Sequence, residues 1–147
     1  SALVCALAMD KGRLITLDRD PVMTEVAMKF WKMANVDRII ELKLGNALDS
    51  LDELLSSEEN IGSFDMIFID ADKRNYQAYY ELCLKLIAND GIILFDNVLW
   101  SGDVADPSNQ EKDTVALRDL NQFLFNDNRV NISMIPVGDG ITMVQKK

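Results

Sequence analysis

The sequence predicts an α/β domain built on a mostly parallel, doubly wound sheet that an antiparallel hairpin closes along one edge. Three observations predict it. Short apolar runs of strand length alternate with segments whose apolar residues recur at helical spacing. The runs are nearly continuous, as in strands covered on both faces. The last two, "VNISMIP" and "GITMVQ", are joined only by Val137-Gly138-Asp139-Gly140, which makes them antiparallel neighbours.

The elements run in order from the N-terminus. "SALVCALAM" reads as the end of an amphipathic helix that stops at Lys11-Gly12, and "RLITLD" as a short buried strand. Asp20-Pro21 supplies a helix N-cap followed by proline at the first helical position, with Met23, Val26, Ala27, Phe30 and Ala34 at helical spacing. "RIIELKLG" is the next strand and "LDSLDELLSS" the next helix. After "SEENIGS" comes a strand over Met66 to Ile69. Tyr76, Tyr79, Tyr80, Cys83 and Ile87 mark a helix face that ends at Asn89-Asp90-Gly91. "GIILF" is a strand stopped by Asp96-Asn97. A long polar loop, "VLWSGDVADPSNQEKD", leads to a helix around Thr114 to Phe125 and then to the final hairpin.

Composition sets the outer limits. A chain of 147 residues, 48% hydrophobic and 27% charged, fits one domain spanning residues 1–147. Its net charge of −9 repels phosphate backbones and anionic lipid, so nucleic acid and membrane surfaces are not expected partners. No histidine is present, which removes the commonest general base and zinc ligand. Acid-base chemistry must come from Asp, Glu, Lys, Tyr or water. Cys5 and Cys83 lie in apolar helical patterns and form neither a disulfide framework nor a metal-ligand spacing, as expected of a reducing, cytoplasmic compartment. No apolar run approaches the roughly 20 residues that span a bilayer.

In a doubly wound sheet, ligands bind at the carboxyl ends of the parallel strands. The residues found there are Asp18, then Gly45-Asn46-Ala47, then Asp70, then Asp96-Asn97. Asp and Asn also favour strand ends for backbone reasons, which accounts for Asp20 as a cap and serves Asp18 equally well. Asp70 with Asp96-Asn97 is different. On adjacent strands, two carboxylates and an amide carbonyl meet at one edge, and their repulsion calls for a cation or a proton. An all-oxygen set selects a hard ion such as Mg²⁺, Ca²⁺ or Mn²⁺, and three protein oxygens leave about three octahedral positions open. Lys73, read alone, is a solvated surface charge. Beside a divalent cation its charged form is disfavoured and it can take a proton.

The segments "FDMIFIDADKRNYQAYY", "GIILFDNVLWSGDV" and "PVGDGIT", with "ALDSLDELL" and "SALVCALAM", span nearly the whole chain in order. They resemble the cation-dependent O-methyltransferases that use S-adenosylmethionine, the family of the caffeoyl-CoA enzymes and catechol O-methyltransferase. The resemblance implies a Rossmann-like class I methyltransferase sheet. It implies Asp70, Asp96 and Asn97 as metal ligands, Lys73 as the base with Asp70 beside it, and Asp18 on the cofactor ribose. Ser1 matches the serine at the cofactor's methionine carboxylate, Asn46 and Ala47 the adenine pocket, and Asp70 and Asp72 positions on the cofactor side. Trp100 and Ser101 match the substrate loop, where plant enzymes usually carry Asn in place of Ser101.

The reaction so implied moves a methyl group to one hydroxyl of a vicinal di-hydroxy aromatic small molecule, in an enzyme commonly dimeric. The family's first strand and glycine-rich loop should precede Ser1 and are not among the 147 residues, so the resemblance describes a sheet lacking its first strand and a chain incomplete at its N-terminus. Two rival readings exist. "IFIDAD" mimics the Asp-x-Asp of haloacid-dehalogenase-type phosphatases, although Lys73 stands where they carry Thr or Val. The other is a non-catalytic methyltransferase-like fragment that acts through partner contacts.

Overall fold

The computed structural model describes residues 1–147, which divide into two compact units, Ser1–Ser50 and Leu51–Lys147. In the first, α1 (Ala2–Ala8) precedes β1 (Leu14–Asp18), α2 (Pro21–Met33) and β2 (Ile40–Leu44). Asp20 starts α2 as anticipated: its carboxylate accepts from the backbone N–H groups of Val22 and Met23 at 2.9 and 3.1 Å, with Pro21 at the first helical position. This prompt start lets α2 serve as the crossover between β1 and β2. The two strands pair in parallel from Leu14↔Ile40 to Asp18↔Leu44. Helix α3 (Ala47–Leu55) comes next and runs into the second unit.

The second unit holds β3 (Phe64–Ile69), α4 (Tyr76–Leu86), β4 (Ile87–Asp96), α5 (Lys112–Asn126), β5 (Val130–Ile135) and β6 (Ile141–Lys146). The sheet order is β3-β4-β6-β5: β3 and β4 are parallel, and β6 runs antiparallel to both its neighbours. The final hairpin is therefore present, and it brings β6 rather than β5 against β4.

The core of this unit is aromatic and aliphatic. Tyr76, Tyr80 and Phe95 are fully buried, with Phe95 5.7 Å from Tyr76 and 6.2 Å from Tyr80 between ring centroids. Leu117, Leu120 and Leu124 of α5, with Ile87, Ile93 and Val144, complete it. Each such side chain contributes roughly 1.5–3 kcal/mol of burial free energy.

Two expectations need correction. Continuous apolar character does not mean burial on both faces: neither β1 nor β2 has a fully buried residue, and β5, the outer strand, exposes Ile132, Met134 and Ile135. The Asn89-Asp90-Gly91 stop lies inside β4, which begins at Ile87. Between Phe64↔Ile87 and Met66↔Ile92, the register slips because β4 carries extra residues there. Gly91 permits this, since a Cβ at that position would sit 2.8 Å from the Phe64 carbonyl oxygen. No helix is long and apolar enough to cross a membrane.

Candidate active site

The parallel register pairs Ile69 with Phe95, so Asp70 and Asp96 leave adjacent strand tips at one level. That satisfies the adjacency on which the carboxylate argument depends. Asn97 then turns the chain with φ of 61°, a left-handed conformation that Asn tolerates better than most residues. Its N–H donates to Asp96 Oδ1 at 2.8 Å. Its side-chain Oδ1 is left facing Lys73.

Lys73 opens a single 3₁₀ turn, Lys73–Asn75, between β3 and α4, and is only 8% exposed. Its ammonium donates to Asn97 Oδ1 at 2.8 Å, to Asp70 Oδ1 at 3.2 Å and to the Tyr76 hydroxyl at 2.5 Å. The Trp100 ring centroid lies 5.7 Å from the same nitrogen. The lysine is thus a buried cation held by oxygen atoms from both strand tips, and the solvated-charge reading does not apply. Tyr76 stays a neutral phenol: burial pushes its pKa well above 10, and the charges of Asp70, Asp96 and Asp72 push it further.

Asp72 is committed locally. Its carboxylate accepts from the Tyr79 hydroxyl at 2.6 Å and from Asn75 Nδ2 at 2.5 Å, which ties the turn to α4. Trp100 and Ser101 have φ of 48° and 55° and are followed by Gly102 at 92°. Consecutive left-handed residues are strained, and the surroundings hold them. Ser101 N–H donates to Asp139 Oδ1, while the N–H groups of Val98 and Leu99 donate to the carbonyls of Gly140 and Asp139. Gly140 allows the close approach, because a Cβ there would lie 2.5 Å from Leu99 Cγ. Arg118 secures the rest of the loop by donating to the carbonyls of Val104, Asp106 and Asn109.

Tyr76, Asp139 and Arg118 join the site although sequence reasoning assigns them no role in it. Tyr76 is hidden in an apolar helical stripe. Its only sequence signal is its place one turn beyond Lys73.

In the first unit, Ser1 and Asp18 line a cleft of about 220 Å³ together with Thr16 and Trp31. Asp18 Oδ1 accepts from Asp20 N–H at 2.9 Å. Asn46 Oδ1 accepts from Leu48 N–H at 2.9 Å and so starts α3, and neither Asn46 nor Ala47 lines the cleft. A larger hollow of about 570 Å³ in the second unit, bordered by Gln77, Phe123 and Arg129, includes none of the residues proposed from sequence.

No three His, Cys, Asp or Glu side chains are arranged to hold a metal ion. The donors at the strand tips are two carboxylates and the Asn97 amide, and the Lys73 ammonium already sits as a cation between Asp70 and Asn97. This chemistry suits a hard, oxygen-seeking cation, with Asn97 completing the set.

Comparison with known proteins points to one family. A family model described as O-methyltransferase matches residues 1–147. A Dictyostelium discoideum protein named "Probable caffeoyl-CoA O-methyltransferase 1" is 50% identical over 149 residues, covering 99% of this chain and 64% of its own length. The mouse protein "Catechol O-methyltransferase domain-containing protein 1" is 41% identical over 147 residues, covering 99% of this chain and 56% of its own. The chain therefore spans less than two thirds of these curated relatives. The crystal structure of an O-methyltransferase from Bacillus cereus in complex with SAH matches with a TM-score of 0.87 at 31% identity, over 97% of this chain and 66% of that one.

Proposed function

Because this chain belongs to the O-methyltransferase family, we propose that it carries the catalytic residues of an enzyme that methylates one hydroxyl of a vicinal di-hydroxy aromatic small molecule. The observation that carries the reading is the buried Lys73 ammonium clasped between Asp70 and Asn97, at the tips of two adjacent parallel strands. The amine stands at the carboxyl ends of parallel strands, where such sheets bind their ligands, and that place supports a base acting on a bound hydroxyl.

S-adenosylmethionine supplies the methyl group as a sulfonium; Asp18 and Ser1 would grip its ribose and carboxylate, and Asn46 and Ala47 would serve its adenine. Asp70, Asp96 and Asn97 would hold a divalent ion, which would supply the positive charge that acidifies a substrate hydroxyl. Lys73 Nζ, starting as the neutral amine, would take the proton from the reacting hydroxyl and so become the ammonium held between Asp70 and Asn97. The oxygen so charged would be the nucleophile toward the sulfonium methyl, and the electron pair of the broken carbon–sulfur bond would stay with sulfur. Asp70 and Asn97 aim the nitrogen, and Trp100 walls the side facing substrate. Most of the acceleration on this reading comes from positioning and charge control.

We further take the working enzyme to be a cytoplasmic homodimer acting on small molecules, and sedimentation of the purified protein tests the dimer directly. The functional reading is tested by calorimetry with S-adenosylmethionine, with and without Mg²⁺, followed by a methylation assay on a simple catechol. Binding heat and EDTA-sensitive methyl transfer are expected. Full activity in EDTA would remove the metal from the reading, and absence of both heat and transfer would leave only a partner-binding role.

A further inference from the structure

Tyr76 stands at the junction of everything the site depends on, and its role goes beyond filling the core. An ammonium has three N–H donors, and here all three are used, on Asp70, Asn97 and Tyr76. Because the Tyr76 oxygen accepts from Lys73, its own proton points the other way. There it is shared between the carbonyl of Ile69 at 3.3 Å and that of Asp96 at 3.2 Å. Ile69 ends β3 directly before Asp70, and Asp96 ends β4 directly before Asn97. One hydroxyl thus touches the lysine and both strand tips. A phenylalanine would pack against Phe95 equally well but would make none of these contacts.

We infer that Tyr76 is a positioning residue of this site: its hydroxyl sets the direction of the Lys73 amine and fastens together the strand tips that carry Asp70 and Asp96. The inference rests on the functional reading above for its catalytic consequence, but not for its geometry. Without the hydroxyl, one N–H of a nearly buried ammonium has no acceptor, and two carbonyls lose their donor. A buried charge so deprived moves toward water. Lys73 then spends less time aimed at the substrate hydroxyl.

The test is Tyr76→Phe, measured in three ways on the same chain. In its crystal structure, Lys73 Nζ is expected to have left hydrogen-bond distance of Asn97 or Asp70. If it keeps both contacts, the inference is overturned whatever the activity does. In the assay, kcat for catechol methylation is expected to fall about tenfold while KM for S-adenosylmethionine stays within about twofold. An unchanged kcat with only a lower Tm would show a purely structural role.

In a Lys73→Met background, adding Tyr76→Phe should reduce turnover by much less than it does in the unaltered protein, and a fully additive loss would contradict coupling through the lysine. If the unaltered protein methylates no catechol, the functional reading fails, while the crystal structure still decides the role of the hydroxyl. If the Phe variant does not fold, ¹⁵N-lysine NMR of the unaltered protein decides it. A slowly exchanging Lys73 ammonium with a cross-peak to the Tyr76 ring supports the inference. Exchange as fast as that of surface lysines overturns it.

Discussion

Two Asp-x-Asp segments succeed two parallel strands here, and they do different work. In Asp18-Arg19-Asp20, after β1, the second acid caps α2 through the N–H groups of Val22 and Met23, and the first accepts from the N–H of Asp20. In Asp70-Ala71-Asp72, after β3, the second acid ignores the backbone and takes the side chains of Tyr79 and Asn75. The first acid there pairs with a buried lysine. The difference originates in the residues immediately downstream. Pro21 commits the first segment to a helix at once, whereas Lys73-Arg74-Asn75 inserts a 3₁₀ turn that puts an amine under the strand tips.

The helices differ in the same sense. α4 buries Tyr76, Tyr79, Tyr80, Cys83, Leu84 and Leu86, whereas α2 leaves Val22 67%, Met23 61% and Met33 76% exposed. Rigid placement of a charged group needs a dense, covered setting, and only the helix after the second segment provides one.

The sharpest test exchanges the leading acids. Asp70→Asn should lower kcat for catechol methylation by about a hundredfold or more, because on the proposed reading it takes the negative charge from the partner of the base and from a metal donor. Asp18→Asn should raise the Kd for S-adenosylmethionine by about tenfold and leave kcat nearly intact. Equal effects on kcat would erase the distinction between the segments. Asp96→Ala should abolish EDTA-sensitive activity with the fold retained, as judged by circular dichroism.

A smaller effect separates the trailing acids. Asp72→Ala should cost about 1–3 kcal/mol in urea unfolding, because the Tyr79 hydroxyl and the Asn75 amide lose a charged acceptor. Asp20→Ala should cost about 1 kcal/mol, the ordinary value of a helix cap.

Acid should act mainly on the second unit. Arg129 donates to Asp127 and holds its carboxyl well below the usual carboxylate range, with the Tyr80 hydroxyl assisting. Since the folded state gives up this proton more readily than the unfolded one, the contribution is fully present above about pH 4 and declines as pH falls further. The gap in stability between the unaltered chain and Asp127→Asn should therefore narrow below pH 4. A gap that is constant from pH 7 to pH 2 would contradict it.

The mildest probe is a thiol reagent. Burial pushes the Cys83 thiol up to about 12, so iodoacetamide at pH 8 should label the half-buried Cys5 well before Cys83, as read by mass spectrometry.

Much of the fold is legible because it is written in local chemistry. The Asp20-Pro21 cap, the alternation of strand and helix, and the tight Val137–Gly140 turn each declare themselves within a few residues. Asp70, Asp96 and Asn97 are readable because parallel strands align their tips. The start of β4 is not, since Ile87 suits the last turn of a helix as well as a strand, and only the nearby Phe64 carbonyl explains why Gly91 is required.

Lys73 shows the limit most clearly. Its sequence neighbours are charged, so its burial depends on Tyr76, Asn97 and Trp100 arriving from other elements. Periodicity assigns Tyr76 to a face but cannot say that its hydroxyl will meet three partners. Likewise, apolar spacing in α2 identifies a stripe without showing whether anything covers it.

The bare outer margin of the second sheet has a practical corollary. β5 offers an unpaired backbone ladder with Ile132 and Met134 side by side on one face, the kind of border that recruits other chains into aggregates. At neutral pH the surplus of nine negative charges keeps copies apart. Near the isoelectric point of about 4.4 that repulsion vanishes, and light scattering should rise there before any unfolding is seen. Lysine in place of Met134 should delay the onset of turbidity.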